Sequence, residues 1–251
     1  MDFKAIHIDE TRSTNGWLRE FASVASDQGS SASDANIVVV AEYQTAGRGC
    51  GSNTWESERG KNLTFSVLLH PTEIPADCQF RISEAVSVAI CKVLENLGAL
   101  EVTIKWPNDI YVGDRKICGI LIENQLRGRL ISDSIIGIGL NVNQMEFKSD
   151  APNPVSLAQL TGHEEDREAL LQAFLQQLSD TMSMAPEALI EAYRSRLYRR
   201  EGIYPFSDKE GTFEAKVLNV LDDGRLVLLD TEGKARMYAF KEVQFLLKIE
   251  N

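Results

Sequence analysis

The sequence is poor in the residues that form metal sites and disulfide frameworks. Its 251 residues include four cysteines and three histidines. Cys50, Cys78, Cys91 and Cys118 lack the paired spacing of metal ligands, and a chain of this length can bury a core without disulfide bonds. We therefore expect four reduced thiols and no metal site formed by protein side chains. The histidines show neither triad nor metal-ligand spacing, so we assign them no role.

Positive charge and long apolar runs are also scarce. Lys and Arg number 26 against 37 Asp and Glu, which gives a net charge of −11. Nucleic-acid binding depends on a basic surface, so we exclude DNA and RNA as main partners, whereas a nucleotide needs only two or three local cations. Residues 135–140 are too few to cross a bilayer, and residues 1–11 lack the apolar centre of a signal peptide. We expect no membrane partner and a cytoplasmic location.

Strand and helix patterns alternate over most of the chain. Apolar and β-branched runs predict strands, and apolar residues at helical spacing predict helices. Thr161 followed by Glu164 resembles a capping box that begins a helix. Residues 26–35 are small and polar, which predicts an exposed loop. The predicted strands are residues 3–8, 37–42, 63–69, 102–106, 110–112, 117–123 and 130–140, and the predicted helices are residues 13–24, 80–97, 157–160, 161–178 and 186–197.

The pattern changes after Pro205. Residues 211–249 alternate polar and apolar side chains, with turns at Asp223-Gly224 and Glu232-Gly233. This alternation predicts three or more short antiparallel strands. We therefore expect a mixed α+β unit over residues 1–205 and a small all-β unit over residues 206–251.

A glycine-rich segment follows the second predicted strand. Residues 44–51 read Gln-Thr-Ala-Gly-Arg-Gly-Cys-Gly. The glycines let the backbone approach a ligand and turn successive N–H groups toward an anion. Arg48 adds a planar cation suited to phosphate or carboxylate. The alternative is a flexible hairpin loop that carries a surface arginine.

Two further segments place polar side chains at strand ends and turns. Lys105 ends an apolar strand, and Asn108 and Asp109 follow a proline, at a place where scaffolds often present functional groups. Lys116 directly follows a hairpin turn. Gly119 interrupts a strand, which indicates a bulge or a ligand lying against the backbone. The structural alternatives are a solvated lysine and an Asx turn.

Residues 137–143 (Gly-Ile-Gly-Leu-Asn-Val-Asn) combine a bare strand face with two asparagines. Something flat can pack against such a face, or another backbone can cross closely. Residues 13–15 (Ser-Thr-Asn) are explained by helix capping alone. None of these segments identifies a function by itself.

The order of these segments, however, closely resembles the biotin–protein ligase family. The resemblance runs from residue 13 to the C-terminus and is most specific in residues 105–109 (Lys-Trp-Pro-Asn-Asp) together with Gly-Arg-Gly at 47–49. It implies a catalytic domain related to class II aminoacyl-tRNA synthetases and a small Src-homology-3-like β-barrel, which agrees with the domain boundary expected near residues 203–210. Since twelve residues precede Ser13, we expect the short form of the family, without a helix-turn-helix domain.

The resemblance also implies roles for individual residues. Arg48, with the backbone of Gly49 and Cys50, corresponds to the loop over the biotin carboxylate and the phosphate, and Lys116 to the lysine that reaches the acyl phosphate. Lys105 and Asp109 complete the implied catalytic set. The implied biotin contacts are Ser13, Thr14, Asn15, Gln44, Arg48, Gly49, Cys50, Lys116 and Gly119, and the implied ATP or AMP contacts are Arg48, Asn108 and Asn141.

The implied reaction uses ATP with Mg²⁺ to convert biotin into biotinyl-5′-AMP, and then transfers biotin to a lysine of a biotin carboxyl carrier protein. Neither half requires a protein nucleophile. A lipoate or octanoate ligase or transferase, which uses a related fold, is the nearest alternative. A non-catalytic biotin-sensing protein is the alternative from another class. The sequence allows a monomer or a homodimer.

Cys50 departs from the family's pattern. After Gly-Arg-Gly, members of the family often carry arginine or glutamine, and this chain carries cysteine. We therefore hypothesise that the loop holds the adenylate less tightly than an arginine-bearing loop does. A role for the thiol itself requires a lowered pKa.

Overall fold

The chain forms a seven-stranded sheet followed by a five-stranded sheet. The computed structural model describes residues 1–27, 36–51, 53–98, 101–148 and 153–246. The strands of the first sheet are β1 (Phe3–Thr11), β2 (Asn36–Gln44), β3 (Leu63–Leu69), β4 (Val102–Lys105), β5 (Asp109–Val112), β6 (Arg115–Arg127) and β7 (Leu130–Leu140). They lie in the order β1-β2-β3-β7-β6-β5-β4. The β1–β2 pair is parallel, and the other five pairs are antiparallel.

Helices cover both faces of this sheet. They are α1 (Thr14–Asp27), α2 (Phe80–Asn96), α3 (Leu157–Thr161), α4 (Arg167–Met182) and α5 (Pro186–Arg194). On β2, Ile37 and Val39 pack with Leu18 of α1, whereas Val38 and Val40 belong to the main core with α2, α4 and α5. Side chains of a strand alternate between faces, so a strand buried on both sides is apolar throughout. This explains the continuous apolar run in β2.

The second sheet is all antiparallel and packs against the first unit. Its strands are β8 (Tyr204–Asp208), β9 (Gly211–Val220), β10 (Leu226–Asp230), β11 (Ala235–Tyr238) and β12 (Gln244–Phe245), in the order β11-β10-β9-β8-β12. Gly224 and Gly233 adopt positive φ angles of 86° and 83° at the two predicted turns. The Trp106 indole donates a hydrogen bond to the Gly224 carbonyl at 2.8 Å. The predicted α+β class is confirmed, with a mixed sheet carrying the helices.

One predicted helix start is wrong. Thr161 ends α3, because Gly162 follows with a φ of 81°, and the capping box of α3 is formed by Ser156 and Gln159. The next helix, α4, begins after Asp166, whose carboxylate accepts from the first backbone N–H groups. The capping box expected from Thr161 and Glu164 is therefore absent from this part of the chain. Of the loop expected over residues 26–35, residues 28–35 lie outside the described residues, and residues 26 and 27 belong to α1.

The cysteines behave largely as expected. All four are free thiols, and Cys91 and Cys118 are buried in the main core. Within the described residues, no group of three or more His, Cys, Asp or Glu side chains is placed to hold a metal ion. None of the described helices combines the length and the hydropathy that a membrane span requires.

Glu84 is a buried acid on α2 close to α5 and the second sheet. Its side chain is 5% exposed, and Oε1 has no hydrogen-bond partner among the described residues. Burial raises the pKa of Glu84 from 4.5 to about 7, while Arg194 opposes this rise, Asp222 adds to it and Arg81 opposes it. The folded protein therefore keeps Glu84 protonated at mildly acidic pH, where the unfolded chain ionises it.

We expect Glu84→Gln to become more stabilising as the pH rises. Between pH 4.5 and about 7 only the unfolded state has lost the Glu84 proton, so the wild-type protein loses stability across this window. Glutamine has the same shape and does not titrate. The free energy of unfolding of the variant, relative to wild type, should rise by about 2 kcal/mol from pH 5 to pH 8 in urea titrations. A difference that does not change with pH contradicts this prediction.

Candidate functional site

A cleft of about 1150 Å³ lies on the α1 face of the first sheet and is closed on one side by the loop between β11 and β12. Asn141 is the one predicted site residue that does not line it. The predicted site residues that line it are Ser13, Thr14, Asn15, Gln44, Arg48, Gly49, Cys50, Lys105, Asn108, Asp109, Lys116 and Gly119. The fold therefore brings together segments that are far apart in the sequence.

The floor of the cleft is bare because glycines occupy it. On β7, Ile136 and Ile138 face the main core, so Gly137 and Gly139 face the cleft. Gly119 of β6 is the direct cross-strand partner of Gly139. Two adjacent strands thus present backbone where they would otherwise present side chains.

Trp55 occupies this bare floor. A Cβ atom at Gly139 would overlap the Trp55 indole, and one at Gly119 would lie 2.9 Å from Trp55 Cζ3. The indole Nε1 is buried and has no hydrogen-bond partner among the described residues. The sequence predicted that something flat packs on the glycine strand, and in this structure that group is the protein's own tryptophan. Trp55 was missed as a site residue, although a tryptophan just after a glycine-rich loop was a usable signal.

A polar network forms one wall of the cleft at the start of α1. The Thr14 backbone N–H and hydroxyl donate to Gln44 Oε1 at 2.8 and 3.1 Å. The Ser66 hydroxyl lies 2.6 Å from both Thr14 Oγ1 and Asn15 Oδ1. Asn15 Nδ2 donates to Glu123 Oε2 at 2.7 Å. These groups hold one another in place, so the wall is preorganised.

The glycine-rich loop is a tight hairpin. The Gly49 N–H donates to the Asn53 carbonyl at 2.8 Å, and the Trp55 N–H donates to the Gly47 carbonyl at 3.0 Å. A Cβ atom at position 47 would overlap the Trp55 carbonyl oxygen. The glycines therefore serve the close approach of the two loop arms. In this conformation the Gly49 N–H is committed within the loop, so the expected open row of N–H donors is only partly present.

Two of the three predicted cations, Arg48 and Lys116, are paired with carboxylates. Arg48 Nη2 lies 3.0 Å from Glu123 Oε2, and Lys116 Nζ lies 2.7 Å from Asp109 Oδ1. Burial alone would raise the pKa of Glu123, but hydrogen bonds from Asn15 and Arg19 and the charge of Arg48 outweigh it and lower the pKa. Glu123 is thus an ionised partner for Arg48. The sequence did not single it out, although it ends the segment that contains Lys116.

Lys105 lies deeper than a solvated lysine. Its Nζ donates to the Tyr111 hydroxyl at 3.0 Å and lies 5.7 Å from the centre of the Phe245 ring of β12. Burial lowers the pKa of Lys105, and Asp109 opposes the shift. Asn108 Nδ2 donates to the Ile120 carbonyl, which fixes the turn after β4. The second sheet therefore helps to enclose the site.

Cys50 and Lys241 meet at the mouth of the cleft. Burial raises the pKa of the Cys50 thiol, and Lys241 is the largest opposing influence. Cys50 is therefore not an activated thiolate. Lys241 and Phe240 line the cleft from the loop between β11 and β12. Sequence reasoning missed both, because nothing local links the end of the chain to the glycine-rich loop.

Asn141 lies behind the floor of the cleft. It is buried, and its Nδ2 donates to the Val155 carbonyl at 3.1 Å. Its backbone N–H donates to the Ile117 carbonyl at 2.9 Å. Asn141 thus ties β7 to the segment before α3, and its expected contact with the nucleotide stays a prediction.

Comparisons with known proteins agree with this arrangement. The Biotin/lipoate A/B protein ligase family matches residues 10–141. The bifunctional ligase/repressor BirA of Bacillus subtilis is 32% identical over 93% of this chain and 72% of its own length, and the biotin–[acetyl-CoA-carboxylase] ligase of Mycobacterium tuberculosis is 29% identical over 68% and 61%. A biotin protein ligase from Aquifex aeolicus, solved with biotin and ATP, superimposes with a TM-score of 0.78 at 25% identity and covers 97% of this chain and 99% of its own. The chain belongs to the Biotin/lipoate A/B protein ligase family.

Proposed function

We propose that this protein is a biotin–protein ligase, which activates biotin with ATP to biotinyl-5′-AMP and transfers biotin to a specific lysine of a biotin carboxyl carrier protein. The observation that carries the proposal is the cleft: a bare glycine floor, a preorganised polar wall and two cations lie together. An uncharged fused ring with a polar urea edge and a carboxylate tail matches these three features in turn. Two of the proteins named above, from Mycobacterium tuberculosis and Aquifex aeolicus, are named as biotin ligases.

We assign the polar wall and the floor to biotin. Ser13, Thr14, Asn15 and Gln44 supply hydrogen-bonding groups for the ureido edge, and Gly119 supplies space for the ring. A buried site built from such fixed groups discriminates strongly against ligands that leave them unpaired. Binding at the floor requires the Trp55 indole to move from its present position.

We assign the cations to the reacting groups. The biotin carboxylate must approach the α-phosphate of ATP, and both are anions. Arg48 and Lys116 offset their repulsion, and each exchanges a carboxylate partner for substrate. We assign Asn108, which lines the same cleft in the turn directly before Asp109, to the nucleotide.

In the second half-reaction the nucleophile is the acceptor lysine of the carrier, so the enzyme itself does not have to supply one. The neutral amine of the carrier lysine attacks the mixed anhydride, the new amide bond forms and AMP leaves. We assign to Asp109, which pairs with Lys116 in this structure, the orientation of this amine once Lys116 has turned to the phosphate. Lys105, whose Nζ donates to the Tyr111 hydroxyl, is a further cation close to Asp109. The enzyme therefore works by positioning and charge stabilisation.

In this scheme, a Mg²⁺ ion would be bound together with the nucleotide. Mg²⁺ commonly binds through substrate phosphates, water and one or two carboxylates, and Glu56 and Asp109 are the acidic side chains that line the cleft. These residues fit a nucleotide-borne ion better than a resident metal site. The chemistry that the ion supplies is charge neutralisation on the phosphates.

We also propose that the chain consists of two domains. Residues 1–205 form the catalytic unit, of the class II aminoacyl-tRNA synthetase-like type, and residues 206–251 form a small Src-homology-3-like barrel. The separate hydrogen-bonded sheets support this division. We place the protein in the cytoplasm, where ATP and the carrier are available, as a monomer or homodimer.

Displacement of Trp55 is a direct prediction. Addition of biotin should shift tryptophan emission to longer wavelength, because the half-buried indole, whose Nε1 is buried, moves toward solvent. The unpaired indole N–H costs about 1–3 kcal/mol where it lies, which makes its release easier. Trp55→Phe should lose the shift while Trp17 and Trp106 still emit. A full shift in Trp55→Phe contradicts the displacement.

The proposed function is tested by ATP–pyrophosphate exchange. We expect exchange that depends on biotin, and transfer of labelled biotin to a carrier domain. Exchange with lipoate and none with biotin would replace the proposal by a lipoate ligase. Biotin binding without exchange or transfer would replace it by a non-catalytic biotin sensor.

A further inference from the structure

Lys241 is a cation that the second sheet places over the glycine-rich loop. It lines the cleft from the loop between β11 and β12. A Cβ atom at Gly51 would overlap Lys241 Nζ, so the amine rests directly on the loop backbone. Its charge is felt by the Cys50 thiol, where it opposes the rise in pKa caused by burial. The amine therefore lies next to the position at which this chain departs from its family.

Two of the other cations that line the cleft, Arg48 and Lys116, are already paired with carboxylates. Arg48 contacts Glu123, and Lys116 contacts Asp109. No ion pair within the described ranges includes Lys241. Lys241 is therefore a cation beside the loop that can take an anionic ligand without first giving up a carboxylate.

The backbone at Lys241 is held in an unfavourable conformation. Its φ angle is 71°, at the third position of a turn closed by the Glu242 N–H and the Ala239 carbonyl at 3.1 Å. This position favours glycine or asparagine. The Glu242 carboxylate accepts from the Ala239 N–H at 2.7 Å, and the Phe240 ring packs edge-on against Trp106. These contacts hold the Lys241 backbone in a strained turn whose side chain lines the cleft. Backbone strain of this kind is concentrated at ligand sites.

We propose that Lys241 binds the phosphates of the nucleotide and supplies, from the second sheet, the positive charge that the glycine-rich loop lacks at Cys50. The inference rests on the proposed ATP-dependent activation of biotin. The Lys241 ammonium donates hydrogen bonds to phosphate oxygens and offsets the repulsion between the phosphates and the incoming carboxylate. It forms no covalent bond. The second sheet is thereby part of the adenylation site.

The test removes the charge and keeps the length of the side chain. In Lys241→Met, we expect the KM for ATP in biotin-dependent exchange to rise about tenfold or more, because a charge-assisted hydrogen bond is lost. The dissociation constant for biotin, measured by calorimetry without ATP, should not change. Lys216→Met is the matched control, since Lys216 is an exposed lysine of β9 outside the cleft. Its kinetics should equal those of the wild type.

A second variant separates binding from a structural role. Adding Cys50→Arg to Lys241→Met should restore the KM for ATP, because the arginine returns a cation to the same place. An unchanged KM in Lys241→Met overturns the inference, and so does a joint loss of ATP and biotin affinity with a lower melting temperature. Failure of the arginine to restore ATP binding contradicts the shared role of the two positions. Absence of exchange in the wild-type protein would instead refute the proposed function.

Discussion

Replacing Lys116 or Arg48 by alanine is expected to lower biotin-dependent ATP–pyrophosphate exchange by about a hundredfold or more. The reaction joins a carboxylate to a phosphate that already carries negative charge, and the transition state adds charge to the phosphoryl oxygens. Fixed cations act on this charge in a partly enclosed cleft, where electrostatic interactions are stronger than in water. No other group in the proposed scheme supplies the positive charge of both Lys116 and Arg48.

The ion pairs seen in the structure explain why these cations can act without large rearrangement. Lys116 is held by Asp109 and Arg48 by Glu123, so each side chain is already positioned before substrate arrives. A substrate anion needs only to replace one carboxylate oxygen as the partner. Preorganisation of this kind lowers the entropic cost of assembling the site.

The two substitutions should leave the fold intact. Arg48 is exposed and Lys116 is partly exposed, and the core does not include either of them. Loss of one partly exposed ion pair usually alters stability by about 1 kcal/mol or less. Lys61→Ala is the matched control, because Lys61 pairs with Glu164 outside the cleft. Wild-type exchange in Lys116→Ala and Arg48→Ala would remove their assigned roles, whereas a lowered melting temperature would point to misfolding.

The strands were predictable wherever the sequence itself marks their ends. Strand β3 is apolar throughout and precedes Pro71, and its bounds of Leu63–Leu69 match the prediction. The β5–β6 turn contains Gly113 with a φ of 57°, which a glycine adopts without strain. The start of α4 was not predictable, because Ser, Thr and Asp near a helix all resemble caps, and tertiary packing decides which of them acts.

Some of the segments that line the cleft were predictable, but their arrangement was not. Motifs with glycine, lysine and asparagine marked the right segments, yet the floor of the cleft exists only because Gly119 of β6 pairs with Gly139 of β7. Strand register depends on contacts between distant segments, which a single sequence does not reveal. The same limit applies to Trp55, which fills the floor, and to Lys241, which reaches the loop from the second sheet.

The second large effect is expected for a substitution of Cys50, and it concerns the release of biotinyl-5′-AMP. Cys50 lies in the glycine-rich loop at the mouth of the cleft, close enough to feel the charges of Lys241, Asp109 and Lys116. A neutral thiol there offers the phosphate of biotinyl-5′-AMP no charge-assisted hydrogen bond. Cys50→Arg should add one, and release of the adenylate should slow by about tenfold or more.

The retention of biotinyl-5′-AMP is measured directly by its release from preloaded protein. Cys50→Ser is the matched control, because serine is similar in size and carries no charge; its release rate should equal that of the wild type. Equal rates in Cys50→Arg and wild type would show that position 50 does not contact the intermediate. A slower release in both variants would assign the effect to loss of the thiol. If release slows in Cys50→Arg alone, the native loop holds biotinyl-5′-AMP less tightly than an arginine-bearing loop does. We then expect the native loop to give the acceptor lysine quicker access to the anhydride. The rate of transfer to the carrier should then fall in Cys50→Arg, because a better-held adenylate is also better covered.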